Sequence, residues 1–127
     1  MSPVNPFRRA RALSLGTFRP DGTSVATAMW FYVDGDRLLT TTVATTPKVR
    51  RLLANPNVEL ATCTQSGKIT GAIYIGTSRV MDTAETEAVL KLKQKRYPLH
   101  RALMLMPSLK DQIGIEITPG TRRQEMP

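Results

Sequence analysis

Cysteine and histidine occur once each in the 127 residues, as Cys63 and His100, and this scarcity removes several chemistries at the outset. A lone cysteine excludes an intramolecular disulfide and a cysteine-based zinc cluster. One histidine cannot build a three-histidine metal site. Cys63 sits in an apolar, strand-like run far from His100 in sequence, so it reads as a small core residue rather than a nucleophile. None of the HExxH, GxSxG, phosphate-loop or GxGxxG patterns occurs. No apolar run approaches the ~18 residues that span a bilayer. The opening MSPVNPFRRARALSLG carries arginines but no long apolar stretch before a small-residue cleavage site, so no signal peptide is expected and the chain is placed in the cytoplasm. Acidic residues are also scarce, 10 against 18 Lys and Arg. They fall mostly in turns (Asp21, Asp34, Asp36) or at a helix start (Asp82, Glu85), and no pair stands poised for acid and base work.

What is present is an ordinary globular balance of 41% hydrophobic and 22% charged residues, enough for one domain spanning residues 1–127. The net charge of +8 and a pI near 10.3 favour an anionic partner. Nucleic acid is disfavoured, because aromatics are only 6% and the three placed to stack on bases, Trp30, Tyr32 and Tyr74, lie on strands that read as buried. The cations fall in three groups: Arg8, Arg9 and Arg11; Lys48, Arg50 and Arg51; and Lys91, Lys93, Lys95, Arg96 and Arg101. The third group reads as a solvated helix face.

The local pattern is mainly β. Residues 12–18 read as a strand and 19–22, RPDG, as a turn. Residues 23–33 read as one long strand, with Val25, Thr27, Met29, Phe31 and Val33 on one face and Ser24, Ala26, Ala28, Trp30 and Tyr32 on the other. DGD at 34–36 makes a hairpin into a strand at 37–43. Thr46 is a candidate N-cap and Pro47 fits the first helical position. Val49, Leu52 and Leu53 share a helical face until Asn55 and Pro56 stop the helix. Further strands are expected at 58–64, 71–81 and 112–118, the second with internal glycines that mark bending or close backbone approach. Asp82 and Glu85 form a capping-box pattern before a helix ending near Pro98, and 99–106 reads as a short helix. A basic leader at 1–11 and a mobile tail at about 119–127 complete the chain. Six strands joined mainly by tight turns predict a small antiparallel barrel; two successive hairpins are too short for parallel crossovers.

The segment 40–51 carries the sharpest chemical signal. A helix N-terminus exposes N–H groups and partial positive charge, and therefore binds phosphate. Thr41, Thr42, Thr45 and Thr46 precede this one, and Lys48 lies in its first turn, where a cation is unfavourable unless an anion is bound. The competing reading is a solvated basic face formed by Lys48, Arg50 and Arg51. If the protein is an enzyme, its reactive chemistry belongs to a cofactor.

TFRPDGTSVATAMWFYVDGDRLLTTT, then TPKVRRLLANPNVELATCT, then SGKITGAIYIGTSRVMD and a helix ending KQKRYP follow one another in an order that resembles the pyridoxamine 5'-phosphate oxidase-like split β-barrel proteins. Within them the chain is most similar to the deazaflavin (coenzyme F420)-dependent oxidoreductases. The resemblance implies a six-stranded antiparallel split barrel and a homodimer with cofactor sites at the subunit interface. It further implies hydride transfer between coenzyme F420, with FMN as the alternative, and a small electron-poor organic substrate. By the same resemblance Met29, Trp30, Phe31 and Ile73 lie near the cofactor ring, while Thr41, Thr42, Thr45, Thr46 and Lys48 hold its phosphate. Arg51 and Lys68 would reach its acidic tail. No metal is implied and no catalytic acid or base is assigned. A non-catalytic flavin or haem carrier, with His100 as axial ligand, is the reading from another class.

Overall fold

The computed structural model describes residues 3–96 and 111–123. One seven-stranded antiparallel sheet runs in the order β2-β1-β5-β6-β7-β4-β3. Its strands are β1 (Ala12–Phe18), β2 (Ser24–Met29), β3 (Tyr32–Asp34), β4 (Arg37–Val43), β5 (Asn57–Cys63), β6 (Tyr74–Val80) and β7 (Gln112–Arg122). Two α-helices, α1 (Pro47–Ala54) and α2 (Thr83–Arg96), and a 3-10 turn (Asn5–Phe7) complete the described elements. The expected short helix at 99–106, with His100, lies outside the described residues.

The mainly β split barrel is borne out, with one more strand than expected. The run 23–33 is two strands: β2 pairs with β1, whereas β3 pairs with β4 at the opposite edge of the sheet. The chain therefore passes between the sheet's edges at Trp30–Phe31, and the sheet curls until its edges approach. Alternation continues through the break, with Met29 and Phe31 both buried, so nothing in the hydrophobic pattern marks it. Thr40 fixes the crossing by donating its hydroxyl to the Trp30 carbonyl.

Inside the curl lie Leu13, Leu15, Phe31, Leu38, Leu60, Ile115 and Ile117, all fully buried. Val4 and Phe7 join them, and Phe7 meets Tyr74 edge to face with centroids 5.7 Å apart. The basic leader is thus folded structure: a 3-10 turn (Asn5–Phe7) plugs the barrel with its apolar residues and leaves Arg8 and Arg9 outside. At the other end of the chain the expected tail is corrected too, since β7 continues through Arg122 rather than stopping at 118.

A smaller cluster outside the sheet packs Val89 and Leu92 of α2 on Leu39, Met81 and Tyr32. Helix α2 opens with the capping box foreseen: the Glu85 amide donates to Asp82 Oδ1 at 2.8 Å, and the Asp82 amide to Glu85 Oε1 at 3.2 Å. Arg79 pairs with both Glu85 and Glu116, and Glu116 pairs again with Arg37, tying α2 to β6, β7 and β4. Thr86, buried beneath the helix, accepts the Gly114 amide at 2.8 Å. Gly76 answers the close-approach expectation, because a Cβ there would stand 2.7 Å from the Thr118 carbonyl at the β6–β7 bulge.

Candidate functional site

Strand β4 and helix α1 deliver the hydroxyl-rich segment as one continuous piece. Their residues do not all face one way. Thr40 and Thr41 are buried, Thr42 and Thr46 half-buried and Thr45 exposed. Thr46 occupies the N-cap position with extended dihedrals (φ −72°, ψ 153°), but its side chain does not cap the helix. Its hydroxyl instead donates back to the Val43 carbonyl at 2.9 Å, which corrects the expected cap. Among the described residues the first turn of α1 therefore has no side-chain cap for its amides.

Lys48 stands beside that uncapped turn, half-buried. No carboxylate among the described residues pairs with it. Burial pushes its ammonium below the ordinary lysine range, and the nearby Arg51 charge pushes the same way. A desolvated cation without a counter-ion is an unfavourable arrangement unless a ligand supplies the anion. The donor set, with one lysine, uncapped helix amides and an exposed Thr45 hydroxyl, fits a phosphate.

Arg51 is held by its Nε, which donates to Thr17 Oγ1 at 2.7 Å. Thr17 is fully buried and went unnoticed in the sequence, although a hydroxyl at the inward position after Leu13 and Leu15 was the available signal. Val49 and Leu52 anchor α1 in the core, but Leu53 is 68% exposed, so the apolar face is narrower than its spacing implied.

The ring-side candidates separate. Trp30 is half-buried at the strand crossing and linked through its carbonyl to Thr40 at the start of the hydroxyl segment. Met29 and Phe31 face the core; exposures of only 7% and 0% make them packing residues. Lys68 is exposed on the 64–68 turn, where its amide donates to Thr64 Oγ1 at 3.1 Å. Ile73 lines a small cavity of about 160 Å³ with Ser14, Ala26, Glu59 and Arg123 on the outer surface of β1, β2 and β5. Neither Lys68 nor Ile73 shares a described contact with the segment 41–48. Cys63 is buried and its thiol is raised by desolvation, as a core residue should be. Among the described residues no cluster of His, Cys, Asp and Glu could hold a metal. No helix among them is long and apolar enough to cross a membrane.

A cavity of about 710 Å³ was not foreseen. It opens between the β1–β2 hairpin and α1, lined by Phe18, Arg19, Pro20, Arg50, Arg51 and Ala54 among others. Arg50, read from the sequence as part of a solvated face, forms one side of it.

No curated protein sequence matches this chain. Among solved structures it superposes on a protein named F420 reductase with TM-score 0.69 and 25% identity, over 96% of each chain. The haem storage protein HutZ from Vibrio cholerae shares the fold at 13% identity and TM-score 0.67, over 91% of this chain and 88% of that one. General stress protein 26 from Bacillus anthracis does so at 19% identity and TM-score 0.63, over 91% and 84%. A family model described as pyridoxamine 5'-phosphate oxidase matches residues 4–124, almost the whole chain, and the protein belongs to that family.

Proposed function

We propose that the protein is an oxidoreductase that binds a flavin-type cofactor, coenzyme F420 first and FMN as the alternative, and passes a hydride to a small electron-poor organic substrate. The observation that carries this reading is Lys48, a desolvated cation with no acid paired to it among the described residues, at an uncapped helix start. A cofactor phosphate completes that arrangement, with the Thr45 hydroxyl and the first amides of α1 as further donors. Trp30, whose carbonyl accepts the Thr40 hydroxyl, would flank the cofactor ring. Lys68, exposed on its turn, is the remaining candidate for the acidic tail of coenzyme F420. The choice of F420 over FMN rests on the F420 reductase similarity and on the net charge of +8.

When bound, the cofactor supplies the hydride chemistry. The residues of this chain hold the phosphate, shield one side of the ring and exclude water, and none of them is assigned as proton donor. The protein would work in the cytoplasm as a homodimer, with the second copy completing each site. Titrating the purified protein with each cofactor tests the proposal. Coenzyme F420 should bind, and Lys48→Ala should weaken it. Micromolar FMN binding without F420 binding reverses the choice of cofactor, and binding of neither sinks the reading.

A further inference from the structure

The cavity between the β1–β2 hairpin and α1 has no place in that reading. It carries three arginines, Arg19, Arg50 and Arg51, and no carboxylate among its lining residues. Asp21, the nearest acid in the hairpin turn, is committed to Thr23: its Oδ1 accepts from the Thr23 amide at 2.9 Å and from the Thr23 hydroxyl at 2.7 Å. One terminal nitrogen of Arg19 donates to that same hydroxyl at 3.2 Å, which ties the exposed guanidinium to the hairpin. Arg51 is anchored through Nε to buried Thr17, so its planar group is oriented before any ligand arrives. Between the arginines the walls are apolar, with Phe18, Pro20, Pro47 and Ala54.

Three arginines lining one groove, with no carboxylate among the lining residues, form a site for multiple negative charges, because a guanidinium presents a rigid fork that pairs two oxygens of a carboxylate or phosphate. The volume of about 710 Å³ suits a small molecule rather than a single inorganic ion. The site is also distinct from the one at Lys48. At about 100° per residue, Arg50 and Ala54 project about 160° and 120° from Lys48, while Arg51 lies about 60° from it on the flank between them. Accordingly neither Lys48 nor any of Thr41, Thr42, Thr45 and Thr46 lines the cavity.

We propose that this groove is a second anion site that takes a freely diffusing polyanionic small molecule, of the polyphosphate or polycarboxylate class, independently of the cofactor. Thr17 is a positioning residue for it, acting through Arg51. The proposal does not depend on which cofactor occupies the Lys48 site.

Inorganic tripolyphosphate and citrate are the probes, titrated calorimetrically into the full chain. Binding of at least one is expected with a Kd below about 1 mM. The exposed pair Arg19→Gln with Arg50→Gln should weaken it at least tenfold while leaving the melting curve and FMN or F420 affinity unchanged. Thr17→Val should weaken it severalfold, and Thr17→Ser, which keeps the hydroxyl, should restore it. Undiminished probe binding by the Arg19→Gln, Arg50→Gln protein overturns the site, as does absence of binding to the native chain. Stoichiometric displacement of the probe by F420 but not by FMN overturns the claim of a separate ligand, since the groove would then belong to the cofactor's own chain. Retention of the probe with cofactor bound supports it. Loss of cofactor binding in Lys48→Ala with intact probe binding keeps the two proposals distinguishable.

Discussion

Replacing Lys48 with methionine separates what the residue does for a ligand from what it does for the fold. Methionine keeps the apolar stem that the half-buried position accommodates and removes only the charge. In the ligand-free protein that charge is a liability on two counts: it is desolvated beside Arg51, and it stands at the positive end of α1. A cation in the first turn of a helix costs about 0.3–1 kcal/mol, so the variant should melt a few degrees higher in a chain of this size. The pH dependence carries the same signature. Because the lysine's folded pKa lies below its ordinary 10.5, the unfolded chain binds more protons in the window beneath that value. Native stability should therefore rise with pH there, and the methionine variant should lose that rise. Cofactor binding should move in the opposite direction. A charge-assisted hydrogen bond is worth about 1.5–3 kcal/mol, which corresponds to roughly a tenfold to hundredfold weaker Kd. Differential scanning fluorimetry and fluorescence titration with F420 and FMN measure both sides. A variant that binds either cofactor as tightly as the native chain refutes the phosphate assignment. One that melts lower shows that Lys48 has an internal partner.

Phe7→Ala should lower stability by about 3–5 kcal/mol in urea denaturation, because the leader's phenylalanine is fully buried against Tyr74; a change below about 1 kcal/mol would return the leader to a disposable role. Gly76→Ala should cost about 1–3 kcal/mol in the same assay, since its Cβ meets a backbone carbonyl that cannot move aside. Glu85 is held down to about 2 by its hydrogen bonds with Arg79 and the Asp82 amide, from an ordinary 4.5. Its contribution is therefore complete above 4.5 and is lost as pH falls toward 2. Glu85→Gln should flatten the stability profile over that interval, and an unchanged acid limb in chemical denaturation would remove Glu85 from the network.

The sequence revealed the elements better than their connections. Turns and caps were legible because they rest on local chemistry: Gly22 at φ 89° and Gly35 at φ 61° sit where RPDG and DGD placed them. The capping box at Asp82 and Glu85 was equally plain. The break at Trp30–Phe31 was hidden because alternation has no term for which strand lies alongside, and the register of buried side chains is the same on either side of it. Phe7 was concealed by its arginine-rich neighbours. At the candidate site, Lys48 stood out because its charge opposes the helix dipole, a local conflict visible in one dimension. Thr46 misled because a hydroxyl at an N-cap position has two possible partners, and here it takes the carbonyl behind it. The arginine groove was illegible for a simpler reason: Arg19 and Arg50 lie far apart in the chain, and only the bend of the hairpin toward α1 joins them.

Strand β7 has a consequence for biosynthesis. Among the described strands it comes last in the chain, yet it lies between β6 and β4 and links them within the sheet. While a ribosome is still adding residues after α2, the nascent chain can form the four-stranded piece β2-β1-β5-β6 and the separate hairpin β3–β4, joined covalently through Trp30 and Phe31. Two unpaired strand edges face each other across the gap during that interval, a state prone to aggregation. Closing it is the work of Ile113, Ile115 and Ile117, whose arrival completes the sheet in one step. A chain stopped before residue 112 should accumulate as an insoluble, protease-sensitive species, and supplying the missing strand as a separate peptide should rescue it.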